Sequence, residues 1–244
     1  MRRGQARGAF FSVDVEQDCP PYLSSFRGIE EGLPALLGML ETAGVAGTFF
    51  TTGEVARRFP ATIRRIVDAG HELGCHGDTH RDLTTLTPDE AEREIASASG
   101  ILRSFGPVIS FRAPFLRLPV NLVEMLARHG YLLDSSQARY KFGPLHRIGG
   151  DSPLIRVPAS VTPSVLRLPR FIRNAWLRAL KDPLVLFVHP WEFVDLRMEK
   201  IRFDCRFGTG APALAALSET LAGLRAGGRE FRRMGELASI PPAR

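Results

Sequence analysis

The sequence predicts a single-domain α/β fold, a (β/α) barrel with a largely parallel sheet. Three observations predict it. Short apolar, β-rich runs alternate with amphipathic segments from end to end, the pattern of successive βα units. The 244 residues are 44% hydrophobic and 24% charged, enough for one substantial core without a disulfide or metal staple. The chemically distinctive residues fall at the carboxyl ends of the apolar runs, where barrel proteins build sites from their loops.

In chain order, strands are expected at Ala9 to Val13, Ala46 to Thr52, His71 to His76, Val108 to Arg112, Tyr131 to Asp134, Leu154 to Pro158 and Pro183 to Pro190. Between them, Ile29 to Ala43, Gly53 to Ala69, Thr87 to Phe105, Leu118 to His129 and Pro169 to Leu180 read as helices. Thr87 is a suitable N-cap, followed by Pro88 in the first turn and by Asp89 and Glu90, whose charges suit a helix start. Ala69-Gly70 and His129-Gly130 read as helix stops. Residues 137–162 are rich in Gly, Pro and Arg, which predicts a long, partly irregular excursion. Ser239 to Arg244 is expected to fray.

Composition narrows the function. The net charge of +6 comes mostly from scattered arginines, as in Arg57-Arg58, Arg64-Arg65 and Arg232-Arg233, with no basic block. That argues against a nucleic-acid partner and is compatible with an anionic or lipid-phosphate-linked substrate. Cys19, Cys75 and Cys205 make neither a C-x-x-C pair nor an even framework, so a reducing compartment is expected. The start, MRRGQARGAFFSVDVEQD, has no long apolar region or small-residue cleavage site, and no stretch has the apolar length to cross a bilayer. The expected location is therefore cytoplasmic, with peripheral contact at the inner face of the membrane compatible with the charge. The oligomeric state is not readable.

Four motifs carry the chemistry. Asp14 and Glu16 lie two apart on a strand and so share a face, where two desolvated acids need a cation or an arginine; Asp18 is a further carboxylate two residues on. His76 and His80, four apart in CHGDTH, can turn both imidazoles toward one ion, although a lone H-x-x-x-H is equally a capping pair. Arg112, in the apolar run FRAPF, needs a carboxylate partner, expected among the early acids. His189 follows PLVLFV directly and is expected at the barrel mouth, with Trp191 and Glu192 either lining a sugar pocket or serving as packing and a surface acid.

These segments, with GTFFTTGE, AGHELGCHGDTHRDL, SFRAPF, YLLDSS and LVLFVHPWE in this order, resemble the polysaccharide deacetylase family, the NodB-homology or family four carbohydrate esterases. The DVE and HPWE variants look most like its subgroup associated with exopolysaccharide biosynthesis. The resemblance implies a distorted (β/α) barrel of seven or eight strands, with 1–244 as one catalytic domain. It implies a metal-dependent N-deacetylase acting on an N-acetylated amino sugar, in a glycan or a lipid- or nucleotide-linked precursor. Asp14 would be the general base, Glu16, His76 and His80 the ligands of a divalent ion, and zinc the first candidate, with cobalt, nickel or manganese alternatives. Arg112 would orient Asp14, the backbone N–H near Phe115 would help hold the oxyanion, and His189 would be the general acid. Two departures from the family pattern stand out: the usual aspartate pair is Asp14-Val15-Glu16, leaving Asp18 an alternative ligand, and Asp134, expected to tune His189, sits in a DSS sequence. The rival readings are a deformylase or non-sugar amidase on the same scaffold, and a non-catalytic carbohydrate-binding protein.

Overall fold

The computed structural model describes residues 7–146 and 151–239. The expectation of fraying beyond Ser239, and four residues of the irregular excursion, lie outside that range. The strands are β1 (Arg7–Val15), β2 (Thr48–Thr51), β3 (Glu72–Cys75), β4 (Ser110–Phe111), β5 (Leu133–Asp134), β6 (Ile155–Arg156), β7 (Leu184–Val188) and β8 (Arg229–Arg232). All pairings are parallel and the order is β6-β5-β4-β3-β2-β1-β7, so each of the seven expected runs supplies one strand of a curled sheet. This is the distorted (β/α) barrel.

β8 was not expected, and it pairs with β1 in register Arg7↔Arg229 to Phe10↔Arg232. Ala9 and Phe10 pair with both β7 and β8, whereas Ser12 and Val13 pair with both β7 and β2. Because a strand has two edges, β8 and β2 must follow one another along the same edge of β1. At the far side the sheet curls until the segment after β6 reaches β7. There the Ser160 amide donates to the Val185 carbonyl at 2.9 Å, and the Val185 amide donates to Ser160 Oγ at 2.9 Å. One serine thus bridges the seam.

Alternation along β1 sorts the interior. Ala9, Phe11, Val13 and Val15 pack outward with Leu33, Leu36 and Leu40 of the helix Leu33–Ala43. Phe10, on the other face, joins Phe50, Val185 and Met234 at the barrel floor. Above it on that face come Ser12, whose hydroxyl donates to the Leu186 carbonyl at 3.0 Å, then Asp14 and Glu16. The inward face grades from apolar floor to acidic mouth.

The helices follow their local signals in part; the helix expected over Leu118 to His129 is shorter, at Val123–Arg128, and the short helices Pro163–Leu166 and Phe203–Arg206 were not expected. Thr87 Oγ1 accepts from the Glu90 amide at 3.3 Å while Glu90 Oε2 accepts from the Thr87 amide at 2.9 Å, a complete capping box opening Pro88–Arg103. The single helix expected over Gly53 to Ala69 is instead Gly53–Arg58 and Pro60–Asp68, because Pro60 has no N–H to continue the ladder and serves as the first residue of a new helix. Ala211–Ala226 is a helix that was not expected. It opens on Gly210 with no side-chain cap, so it lacks the start signal that marked Thr87.

Candidate active site

Five of the expected site residues end a strand or follow one by a single residue, Glu16 after β1, His76 after β3, Arg112 after β4, Asp134 at the end of β5 and His189 after β7, while Asp14 is the penultimate residue of β1 and His80 and Phe115 lie in the loops after β3 and β4. The parallel topology therefore brings Asp14, Glu16, His76, His80, Phe115 and His189 to one pocket of about 270 Å³ at the barrel mouth. A larger cavity of about 580 Å³ lies between Arg170–Ala179 and Ala211–Ala226, and its carboxylate, Glu219, is already paired with Arg173 at 2.8 Å. The smaller pocket holds the convergent chemistry.

The backbone singles it out as well. Among the described residues, positive φ outside glycine occurs at Cys19 (41°), His80 (58°), Phe115 (58°) and Leu116 (56°), and all four line this pocket. Such conformations cost on the order of 1 to 3 kcal/mol each, and they persist where surrounding contacts over-determine them. For His80 those contacts are visible. Glu94 Oε2 accepts from the Asp78 and Thr79 amides, each at 3.0 Å, and Glu94 Oε1 accepts from the Thr79 hydroxyl at 2.7 Å, which pins the loop to the helix Pro88–Arg103.

Glu16, His76 and His80 form a compact trio. Glu16 Oε2 lies 3.2 Å from His76 Nε2 and 2.5 Å from His80 Nε2, and all three side chains are buried. His76 Nδ1 sits 2.7 Å from the Arg112 carbonyl, an acceptor only, so Nδ1 carries a proton and Nε2 is turned toward Glu16. The set is also the only group of its kind among the described residues, with ligand atoms within 4.8 Å of one another. Two imidazoles and a carboxylate suit a borderline divalent ion and leave coordination positions open, so the residues present fit one. Burial alone would raise the Glu16 pKa; the imidazoles of His80, His189 and His76 outweigh it and hold the carboxyl well below the usual range.

The alternative carboxylate is otherwise engaged. Asp18 accepts from the Ser25 hydroxyl at 2.7 Å and from the Arg27 and Gly28 amides, each at 2.8 Å. It ties the strand-end loop to the turn at Gly28–Gly32 and takes no part in the trio.

Arg112 is fully buried and its Nη1 donates to Asp14 Oδ1 at 2.6 Å. Its other donors go to the Ser135 carbonyl at 3.2 Å and the Ser135 hydroxyl at 2.8 Å, while the guanidinium lies 4.3 Å from the centre of the Phe50 ring. The pair leaves Asp14 Oδ2 facing the pocket, 3.9 Å from His189 Nε2. Phe115 sets its ring edge against His80, with centroids 4.6 Å apart, and Lys141 Nζ donates to the Phe115 carbonyl at 2.9 Å.

Asp134 does not reach His189. It pairs with Arg156 at 2.6 Å and accepts from the Ser136 amide at 3.0 Å and from the Ser136 hydroxyl. Ser136 Oγ in turn accepts from the Ala113 amide at 2.8 Å, so the DSS segment braces the FRAPF run. Burial pushes the Asp134 carboxyl up despite Arg156 and Ser136.

The partner of His189 is Glu192. Glu192 Oε1 lies 3.0 Å from His189 Nδ1 and accepts from the His189 amide at 2.9 Å, and its second oxygen pairs with Arg167 at 3.0 Å. Glu192 is therefore a buried member of the site and not a surface acid. Trp191 is buried too; its indole stacks on His189 at 4.7 Å between centroids and its N–H donates to Glu16 Oε1 at 3.3 Å. That face of the indole is spent on the imidazole. Burial lowers the His189 pKa, but the Glu16 charge, the Glu192 hydrogen bond and charge, and Asp14 more than reverse this and push it up to about 9. Arg167 and Ser135 were not anticipated. The three-residue spacing of His189 and Glu192, which is that of a capping box, was a usable signal for Glu192.

A polysaccharide deacetylase family model matches residues 18–133. Curated relatives include the peptidoglycan deacetylase of Helicobacter pylori, 29% identical over 142 residues, which are 56% of this chain and 47% of that protein. The peptidoglycan-N-acetylmuramic acid deacetylase PdaA of Bacillus subtilis is 40% identical over 79 residues, 32% of this chain and 30% of that one. A chitooligosaccharide deacetylase of Bradyrhizobium is 38% identical over 85 residues, 34% and 39% of the two chains. The chain thus matches less than half the length of each of these proteins. Among solved structures, the family 4 carbohydrate esterase of Streptomyces lividans, in complex with acetate, has a TM-score of 0.63 at 18% identity, covering 92% of each chain. The peptidoglycan deacetylase PdaC of Bacillus subtilis has a TM-score of 0.63 at 15% identity, covering 96% of this chain and 91% of that one. At these identities the structures show a common fold. The family model and the curated relatives show that part of this chain is similar to polysaccharide deacetylases.

Proposed function

We propose that this chain, as one catalytic domain over residues 1–244, is a metal-dependent N-deacetylase that hydrolyses the acetamide of an N-acetylated amino sugar in a glycan or glycan precursor. The observation that carries the reading is the Arg112-held Asp14 facing the same pocket as the Glu16-His76-His80 trio and His189. The polysaccharide deacetylase family supports the substrate class, and the DVE and HPWE sequences support the exopolysaccharide-associated form of it.

An ion held by Glu16, His76 and His80, with zinc the first candidate and cobalt, nickel or manganese next, would supply Lewis acidity to the acyl oxygen and to a water. Asp14 does the base work. One of its oxygens is tied to Arg112, so the free Oδ2 takes the proton as the water oxygen bonds to the acyl carbon. The amide of Phe115 helps hold the resulting oxyanion, a contribution of about 2.7 to 4 kcal/mol for one well-placed donor. His189 supplies the second proton. Glu192 fixes Nδ1, leaving Nε2 toward the pocket, and the Glu192 and Asp14 charges beside the ring favour its protonated form. The carbon–nitrogen bond breaks as the nitrogen takes that proton, giving acetate and a free amine.

The test is mass spectrometry of chitooligosaccharides, peptidoglycan fragments and lipid- or nucleotide-linked N-acetylhexosamines after incubation with ion-loaded protein. Loss of one acetyl group is expected from one of these classes, and not with Asp14→Asn. Formate release from N-formyl sugars alone, or turnover by Asp14→Asn near that of the unaltered protein, would overturn the assignment.

A further inference from the structure

The helix Arg170–Ala179, RFIRNAWLRA, is turned the opposite way from an ordinary surface helix. Its buried side consists of Arg173 and Leu177, one turn apart, with Arg173 held by Glu219 at 2.8 Å. Its apolar side faces out: Phe171 is 76% exposed, Trp176 49% and Ile172 38%. At about 100° per residue, Phe171, Ala175, Ala179, Ile172 and Trp176 form one continuous stripe roughly 140° wide. Core packing does not account for this face.

The charges beside it are of one sign. From Pro163 to Lys181 the chain holds four arginines and a lysine and no acid. Arg167 and Arg173 are taken up by Glu192 and Glu219. Arg170, Arg178 and Lys181 are exposed, and their side chains have no partner among the described residues. On the helical wheel Arg178 borders the stripe beside Phe171, while Arg170 and Lys181 flank the two ends of the helix.

We infer that this helix docks the protein on an anionic phospholipid bilayer, with Phe171, Ile172 and Trp176 in the interfacial layer and Arg170, Arg178 and Lys181 against headgroup phosphates. Aromatic side chains and a basic border are the pattern of helices that lie in a membrane interface. A second copy of the chain fits less well, because a two-fold contact through this stripe would bring the same three cations face to face. The inference is independent of the hydrolase reading. It does bear on access, since Thr162 and Pro163, a few residues before the helix, line the site pocket.

The experiment is co-sedimentation of the full chain with phosphatidylcholine vesicles and with vesicles containing phosphatidylglycerol, at low and high salt. Binding to the anionic vesicles alone is expected, weakened by salt. Trp176 is the exposed one of the two tryptophans, so its emission should shift to the blue on binding. Phe171→Ser with Trp176→Ser should abolish sedimentation, and replacing Arg170, Arg178 and Lys181 by Gln should weaken it about 100-fold. These positions are on the surface, and an unchanged circular dichroism spectrum would show that the variants fold. No sedimentation of the unaltered protein with anionic vesicles at low salt, binding insensitive to both sets of changes, or a dimer that disappears in Phe171→Ser with Trp176→Ser would each overturn the proposal.

Discussion

Glu16 and Glu72 are both carboxylates within the barrel, at its two ends, and they keep different company. Glu72, at the start of β3, receives the Thr48 hydroxyl at 2.8 Å, the Gly235 amide at 2.7 Å and the Ser110 hydroxyl. All are neutral donors, contributed by strands and by the segment that covers the floor. Glu16, past the end of β1, instead draws two imidazole nitrogens onto one oxygen and an indole N–H onto the other. A carboxylate met by neutral donors is a staple whose charge state serves the fold. One met by converging titratable nitrogens is a place for a cation or a proton. Asp18 repeats the floor arrangement at the mouth, so location alone does not identify a site.

The comparison can be broken at either end. Glu16→Gln should weaken binding of a divalent ion by more than about 100-fold, because ligand loss exceeds the 10- to 100-fold effect of outer-shell changes. Isothermal titration with zinc measures it, and an unchanged affinity would remove the distinction between the two acids. Arg112→Lys should lower kcat about 100-fold, since an ammonium cannot reproduce the planar fork shared between Asp14 and Ser135 and small displacements are costly in a positioned site. Ion affinity should stay nearly constant in that variant. Glu72→Gln should do the reverse: a loss of about 1 to 3 kcal/mol in a denaturant titration, from imperfectly satisfied buried donors, with zinc binding intact.

The pH response sharpens the mouth further. His189 in the ion-free protein should titrate near pH 9 in a histidine proton resonance experiment, against 6.5 for the ordinary ring. Its proton is held more tightly folded than unfolded, so the stability it confers is complete below about pH 6.5 and is lost as pH rises through about 9. Loading zinc should lower that midpoint by cancelling the Glu16 charge; a midpoint near 6.5 that zinc does not move would contradict the assigned contacts. The smallest change is at Phe115, where replacement by Tyr should alter kcat/KM less than about threefold, because the proposed contribution is made by the amide and a hydroxyl on the ring leaves the backbone alone.

Much of this architecture was readable from residue order. Seven strands were marked by apolar runs, and the residues with unusual chemistry stood at their ends. What escaped shares a physical cause. REFR in β8 is half exposed, so it has no apolar run to announce it, and Ala211–Ala226 begins without a capping side chain. Ser135 acts on Arg112 from 23 residues away, and Trp191 acts on Glu16 from 175. No local window contains both members of such pairs. Asp134 shows the converse: the family pattern implied a link to His189, yet Arg156, two residues inside the neighbouring segment, was the nearer charge.

The position of β1 in the sheet also bears on how the chain is made. It leaves the ribosome before β7 and β8, which are among its edge partners and whose registers pair Phe10 with Val185 and with Arg232. At roughly 5 to 20 residues per second, β7 follows β1 by on the order of ten to thirty-five seconds, during which an apolar strand edge stays open. The nascent chain is therefore a natural client for a holding chaperone, and synthesis that stalls before β7 should yield aggregates instead of a shorter barrel.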